Sequence, residues 1–277
     1  MLALTIGQPL SATTSSKATK ILLQLSVVLL GFGMNLQKVV EAGRTGIAFT
    51  VATIAGTLIL GFFLGRLLRV DHGTSHLISS GTAICGGSAI AAVGPVIGAT
   101  DEEMSVSLGT VFILNSVALF AFPMIGHALS MSQTQFGIWA AVAIHDTSSV
   151  VGAAARYGNE ALQIATTVKL TRALWIVPVT VLTAIAFRTK STRIAMPWFI
   201  LWFVIASVMR TYVAAPPMVW AIAVDAAKVG LTVTLFLIGA NLSRKAIASV
   251  GARPMILGIL LWIAISCTSL WVVMHTV

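Results

Sequence analysis

The chain has 277 residues, of which 57% are hydrophobic and only 9% are charged, whereas soluble domains carry about 25% charged residues. This composition excludes an ordinary soluble domain and predicts an all-α polytopic membrane protein. The net charge of +9 does not indicate nucleic-acid binding, because the basic residues are scattered between apolar runs. The two cysteines lack the spacing of a zinc site or a disulfide framework, and we expect no metal and no cofactor.

Apolar stretches recur along the whole chain, most of them near the length of about 20 residues that a membrane helix needs. We predict about nine transmembrane segments, over residues 18–37, 45–68, 76–98, 103–129, 135–157, 160–187, 197–214, 217–242 and 254–275. Residues 2–10 are apolar but too few to cross a bilayer, and they resemble the end of a helix whose beginning is missing. We therefore expect one transmembrane transporter domain over residues 1–277 that is incomplete at its amino terminus.

We predict that two of these segments are interrupted helices, one near residues 85–88 and the other near residues 145–149. Residues 79–92 are crowded with small side chains and are followed by Gly94 and Pro95; glycine weakens a helix by about 1 kcal/mol relative to alanine, and proline removes a backbone donor. Unwound backbone at membrane depth can line a binding cavity. An alternative is close helix packing through small residues. The candidate binding residues in this segment are Thr82, Cys85, Gly86, Gly87 and Ser88.

An internal comparison gives two pairs of similar segments. Residues 83–92 align without a gap with residues 143–152, at an offset of 60 positions. Residues 33–36 resemble residues 239–242, on helices that would run in opposite directions, as an inverted repeat requires. The first pair would be parallel by span counting. The pairs agree only if one interrupted segment is re-entrant, or if the first similarity reflects composition alone.

Four groups within apolar sequence are the main candidates for function: His145, Asp146, Lys169 and Arg172. A charge at membrane depth costs at least about 2.5 kcal/mol and usually marks a functional site. Lys169 and Arg172 are three residues apart and share one helix face, which favours an anion-binding surface because a guanidinium suits carboxylates and oxyanions. The alternative is that Asp146 neutralises one cation in a buried ion pair.

The roles of the neighbouring polar groups stay open at this point. Asp146 could pair with a cation, carry a coupling proton, or cap a helix together with Thr147, Ser148 and Ser149. His145 could also carry a proton, although a single histidine is more often a structural residue. Asn115 falls near Arg172 when the two long apolar helices are aligned, and it could line the same cavity or serve in packing.

Three strings carry a family resemblance. Residues 81–92 (Gly-Thr-Ala-Ile-Cys-Gly-Gly-Ser-Ala-Ile-Ala-Ala) with 95–97 (Pro-Val-Ile), residues 144–146 (Ile-His-Asp) with 149–153 (Ser-Val-Val-Gly-Ala), and residues 168–172 (Val-Lys-Leu-Thr-Arg) are similar to motifs of the YeiH-like family, which carries the label sulfate exporter as a supposition. The resemblance implies a multi-pass protein of the bacterial inner membrane. It also implies a more distant relation to inverted-repeat transporters, which include bile-acid and sodium–proton carriers.

The leading hypothesis is a secondary transporter of a small anion, sulfate or sulfonate-like by the resemblance, with a central site where the interrupted helices face each other. A sodium- or proton-coupled organic acid carrier is the alternative. An intramembrane enzyme or a membrane sensor is disfavoured, because the sequence has no evident nucleophile–base pair and no soluble signalling domain. The expected partners are the lipid bilayer, the anion, a coupling proton or sodium ion, and a second copy in a homo-oligomer.

Overall fold

The computed structural model describes residues 21–22, 24–33, 36–187, 198–213, 215–241 and 250–277. All regular elements in these ranges are helices. Residues 2–10, for which the end of a truncated helix was predicted, lie outside the described residues. Parts of the similar segments 33–36 and 239–242 lie outside them as well.

Among the described residues, eleven α-helices follow a helical stretch at residues 24–30 and a short 3-10 turn at Gly31–Gly33. In chain order they are α1 Leu36–Leu67, α2 His72–Ala83, α3 Gly87–Ile97, α4 Asp101–Ala128, α5 Gln133–Ala143, α6 Thr147–Tyr157, α7 Asn159–Ala173, α8 Ile176–Ala186, α9 Trp198–Tyr212, α10 Pro217–Asn241 and α11 Ala252–Thr276.

The chain divides into two compact units, and the division falls within α1. The smaller unit comprises Met1–Thr45 and Pro197–Arg244, and in its described part the rings of Phe32 and Trp220 stack with centroids 5.4 Å apart. The larger unit comprises Gly46–Met196 and Lys245–Val277. It contains every candidate binding residue named above.

The class of all-helical membrane protein is confirmed, but nine spans are not. Within the described ranges, four helical segments are long and apolar enough to cross a membrane, at Ala48–Leu67, Asp101–Ala128, Asn159–Ala186 and Ala252–Thr276. The third of these comprises α7 and α8 together. Their outward faces carry large exposed apolar side chains, such as Phe63, Met124 and Ile185, which suits contact with lipid.

The predicted span over residues 76–98 is a hairpin of two short helices, α2 and α3, which we call the first hairpin. Leu77 of α2 packs in one cluster with Ile90 and Val93 of α3 and Val111 of α4, and Ile97 lies against the same cluster. In one continuous helix Leu77 and Val93 would be about 24 Å apart at 1.5 Å per residue. The chain therefore folds back at residues 84–86.

The predicted span over residues 135–157 is likewise a hairpin, formed by α5 and α6, which we call the second hairpin. The ring of Phe136 near the start of α5 stacks on Tyr157 at the end of α6, with centroids 3.8 Å apart. The Tyr157 hydroxyl donates to the carbonyl of Met131 at 2.6 Å. Both predicted interruptions are present, at residues 84–86 and 144–146, but each reverses the chain direction.

The two hairpins open toward opposite ends of the larger unit. Glu103 at the start of α4 lies beside Gly73 at the start of α2, whereas the end of α4 leads into the second hairpin. The helix pair α7–α8 runs back again, because the Thr183 hydroxyl of α8 lies 3.1 Å from Nε2 of His76 on α2. The tips of the two hairpins are thereby directed toward each other. Helices of 11 or 12 residues extend about 16 to 18 Å, so neither hairpin arm spans a hydrocarbon core of about 30 Å.

Candidate functional site

The tips of the two hairpins are in contact at Gly86. This residue has φ 63° and ψ −124°, a conformation that is essentially restricted to glycine. A Cβ atom added there would lie 3.4 Å from Cα of Asp146 and 3.2 Å from a methyl group of Val111. A glycine is therefore needed both for the backbone turn of the first tip and for the close approach of the second.

Lys169 of α7 bridges the two tips. Its ammonium group donates to the carbonyl of Ile84 at 2.9 Å and to the carbonyl of Ile144 at 2.8 Å. These two carbonyls occupy equivalent positions in the alignment of residues 83–92 with residues 143–152. Lys169 is 0% exposed, so this cation is held entirely inside the protein by backbone oxygens.

Arg172, one helical turn beyond Lys169, holds the end of α2. Its Nη2 atom donates to the carbonyl of Ala83 at 2.7 Å, and Nη1 donates to the hydroxyl of Thr53 at 2.9 Å. The equivalent carbonyl of the second hairpin, that of Ala143, accepts from the indole Nε1 of Trp262 at 3.1 Å. Arg172 is also 0% exposed, and its Nε atom has no hydrogen-bond partner among the residues that the structure describes.

The physical reason for these contacts lies in the helix ends. The last carbonyls of a helix lack intrahelical partners and carry partial negative charge, and α2 and α5 both end inside the protein. Lys169, Arg172 and Trp262 supply the missing donors. Neither cation forms an ion pair within the described part of the chain, so the alternative in which Asp146 neutralises one of them is not what the geometry shows.

Asp146 instead caps the start of α6. Its Oδ2 atom accepts from the backbone N–H of Ser149 at 3.2 Å and from the Ser149 hydroxyl at 3.4 Å, and it also accepts a short hydrogen bond from the Ser148 hydroxyl. Of the three interpretations of Asp146 that the sequence left open, helix capping is the one visible in the contacts. Asp146 is only partly buried, whereas Thr147, Ser148 and Ser149 are buried beside it.

Asn115 of α4 holds the second tip from the other side. Its Oδ1 atom accepts from the backbone N–H of His145 at 3.1 Å and from that of Asp146 at 3.3 Å. Its Nδ2 atom is buried and has no hydrogen-bond partner within the described ranges. Asn115 therefore has a role beyond packing. Its side-chain oxygen fixes the backbone of the second tip, and its amide nitrogen is a buried donor without a hydrogen bond to the described residues.

The His145 ring is buried, and neither of its nitrogens has a hydrogen-bond partner in the described part of the chain. Its relative exposure is 0%. The hydroxyl of Thr82 in α2 is buried and unpartnered as well. Such groups are uncommon, because a buried polar atom without a partner costs about 1 to 3 kcal/mol.

The structure brings together most of the predicted residues at the meeting point of the tips. The remaining ones lie at its edges: Cys85 is a buried free cysteine in the first tip, Gly87 begins α3 against the ring of Phe112, and Ser88 is exposed. Sequence reasoning missed Thr53 and Trp262. A threonine and a tryptophan within apolar helices give no local signal that they hydrogen-bond to a distant site.

The two helices that start at the tips differ in how they are capped. The N-terminus of α6 has the Asp146 carboxylate, whereas the N-terminus of α3 follows Gly86 and has no side-chain cap. The central site thus combines two buried cations, one partly buried carboxylate and an uncapped helix N-terminus, which carries partial positive charge. In the described ranges, no group of three or more His, Cys, Asp or Glu residues is arranged to hold a metal ion.

Helical hairpins, long apolar helices and lipid-suited outer surfaces define the class of polytopic α-helical membrane protein. The family model for conserved hypothetical protein 698 matches residues 5–258. The chain is 56% identical over 270 residues to a UPF0324 membrane protein of Bacteroides thetaiotaomicron, covering 97% of this chain and 82% of the relative. It is 57% identical over 256 residues to a UPF0324 membrane protein of Porphyromonas gingivalis, covering 91% and 78%.

The chain therefore belongs to the UPF0324 family, which is the YeiH-like family that the sequence motifs resemble. A third relative, the UPF0324 membrane protein PBPRB0970 of Photobacterium profundum, is 52% identical over 253 residues, covering 91% of this chain and 78% of its own length. No solved structure is significantly similar to the chain. The names of these relatives give a membrane protein and state no substrate.

Proposed function

We propose that this protein is a secondary transporter of a small anion, and that the anion binds where the two hairpin tips meet. The observation that carries the proposal is the pair of buried cations, Lys169 and Arg172, which have backbone carbonyls and a hydroxyl as partners and no carboxylate among the described residues. A buried charge that is not paired is costly. A bound anion would complete the neutralisation.

The unused hydrogen-bond donors support an anion more than a cation. The Nε atom of Arg172 and the Nδ2 atom of Asn115 are both buried donors that have no partner among the described residues. The uncapped N-terminus of α3 adds further backbone donors, as in other sites that bind anions at helix N-termini. An oxyanion such as sulfate, a sulfonate or a carboxylate presents the acceptor oxygens that these groups lack.

The arrangement of the hairpins supports transport by alternating access. Each long helix holds the tip of the other hairpin: α4 follows the first hairpin and its Asn115 binds the second tip, whereas α7 follows the second hairpin and its Arg172 binds the first tip. We propose that the hairpin–helix units α2–α4 and α5–α8 form an inverted repeat. Movement of the helices α2–α4 relative to the helices α5–α8 would expose the central site to each side of the bilayer in turn.

The proposed setting is the bacterial inner membrane, with a proton or a sodium ion as the coupling ion. An organic acid carrier remains the second candidate, because carboxylates and sulfate suit the same donors. The two are separated by the substrate that the purified protein binds.

The test is binding and flux of radiolabelled sulfate, a small sulfonate and a dicarboxylate in proteoliposomes. We expect Arg172→Ala to reduce uptake of the bound anion by at least about tenfold, because a charge-assisted hydrogen bond contributes about 1.5 to 3 kcal/mol. Arg156→Ala is the matched control, since Arg156 is an exposed arginine of the same unit, lying over the ring of Phe120. Uptake that survives in Arg172→Ala and in Lys169→Ala would contradict the site.

A second variant guards against a simple loss of folding. Asn115→Asp keeps an oxygen acceptor for the His145 and Asp146 amides but adds a negative charge to the site. We expect a folded protein whose anion affinity is reduced by at least about tenfold, because the added charge repels the ligand at short range. Unchanged affinity in this variant would place the anion elsewhere.

A further inference from the structure

The imidazole of His145 is the polar group at the central site that the contacts described above do not explain. Its backbone N–H donates to Oδ1 of Asn115 at 3.1 Å, so the residue is well positioned. Neither ring nitrogen, however, has a hydrogen-bond partner among the residues described by the structure. The ring is enclosed, with 0% exposure. Burial of both nitrogens without partners costs stability that a purely structural residue would not require.

Most of the charged groups near His145 are positive. Lys169 and Arg172 of α7 interact electrostatically with the ring, and Asp146 follows His145 on the same tip. The facing tip contributes the titratable thiol of Cys85, which is buried. The Asp146 carboxylate accepts three hydrogen bonds at the start of α6, whereas His145 has both proton-binding atoms unpartnered.

We infer that His145 takes up a proton when the anion binds, so that the protein moves an anion and a proton together. This inference rests on the proposed anion site and names its coupling ion. In the empty site, a proton on His145 would add a third positive charge beside Lys169 and Arg172. A bound anion supplies opposite charge and acceptor oxygens, which favour the protonated imidazole with two N–H donors.

The coupling between the two ligands is reciprocal. If the anion increases the affinity of His145 for a proton by some factor, the proton increases the affinity of the site for the anion by the same factor. The step balances in atoms and charge. A proton from the solvent adds to one ring nitrogen of His145, and no other bond forms or breaks. The proton returns to the solvent on the side of the membrane where the anion is released.

The test measures proton uptake on anion binding in the full chain, purified in detergent and weakly buffered near neutral pH. Sulfate is added first, then a small sulfonate and a dicarboxylate, with a pH indicator in solution. We expect about one proton to be taken up for each anion bound in the wild type and in the control His275→Gln, whose imidazole is exposed near the end of α11. We expect no uptake in His145→Gln.

A measurement on the wild type alone keeps the test independent of how well the variant folds. Over the pH range between the titration of His145 in the empty site and its titration with the anion bound, a range that includes neutral pH, the anion affinity should fall by about tenfold per pH unit. Affinity that is constant between about pH 5 and about pH 8 would overturn the inference. Proton uptake that persists in His145→Gln but is lost in Asp146→Asn would also overturn it, by assigning the proton to Asp146.

Failure of the inference and failure of the proposed function give different results. If the wild type binds none of the three anions, the anion site itself is wrong. If it binds one of them without proton uptake, the anion site stands and proton coupling through His145 is wrong.

Discussion

The two hairpin tips are both turns between short helices and both bind Lys169, but their other groups differ. The first tip, residues 84–86, turns at a glycine with positive φ, and cations hold its carbonyls. The second tip, residues 144–146, carries its own carboxylate, and Asn115 holds its amides. Two similar hairpins thus present different groups to the central site: a glycine turn next to two cations, and a turn that combines an acid with an imidazole.

This difference is the basis on which we assign the proposed anion to the first tip and the proposed proton to the second. At the first tip, the N-terminus of α3 has no side-chain cap and lies beside Arg172 and Lys169. We propose that the anion binds there. The second tip supplies the residue that we expect to exchange a proton. Lys169 contacts both tips at equivalent carbonyls, so movement of either tip would break one of its hydrogen bonds.

The largest effect on stability is expected at Asn115. In Asn115→Leu the N–H groups of His145 and Asp146 lose their acceptor inside the protein, at about 1 to 3 kcal/mol each. We expect the free energy of unfolding to fall by about 2 to 4 kcal/mol, measured by denaturant unfolding in mixed micelles. Asn115→Asp, which keeps an acceptor, is the comparison. If both variants were equally stable, the acceptor at residue 115 would not be what holds the second tip.

Gly86→Ala tests the backbone of the first tip. The φ of 63° with ψ of −124° disfavours any side chain, and the added Cβ would lie 3.2 Å from Val111. We expect a loss of about 2 kcal/mol in the free energy of unfolding, with a larger loss of anion binding as the tips separate.

Gly98→Ala is the matched control for that variant. Gly98 also has positive φ, at 66°, but it adopts the ordinary left-handed conformation and an added Cβ would meet nothing within 4 Å. Its cost should stay near about 1 kcal/mol, without an effect on binding. Equal losses in the two variants would show that the tips do not depend on close contact at Gly86.

The sequence predicted where the chain breaks and which residues meet. The run of small residues predicts the break at the first tip, and the aligned segment predicts the break at the second. The cost of placing a charge in apolar sequence indicates that Lys169 and Arg172 belong to a functional site. It did not predict that each break reverses the chain. A continuous span and a re-entrant hairpin of two short helices contain the same number of apolar residues, and only packing, such as that of Leu77 on Val93, distinguishes them.

The partners of the cations could not be predicted either, for a different reason. Lys169 and Arg172 bind backbone carbonyls, and every residue in the chain has one, so no side chain marks these partners in the sequence. The ion pair with Asp146 was the natural alternative because it involves opposite charges. The helix ends at Ala83 and Ala143 provide better placed acceptors, and Asp146 is engaged at the start of α6.

The smallest effect on stability is expected for Asp146→Asn, and it is the most informative about charge. Asparagine caps a helix about as well as aspartate, so the free energy of unfolding should change by less than about 1 kcal/mol, whereas Asp146→Ala should cost about 1 kcal/mol. The variant removes a negative charge from the tip that contacts Gly86, beside the proposed anion site. Anion affinity, measured by isothermal titration at low ionic strength, should therefore rise or stay the same. A marked loss of affinity in Asp146→Asn, with unfolding unchanged, would mean that the carboxylate itself takes part in binding, and the ligand would then be sought among cations.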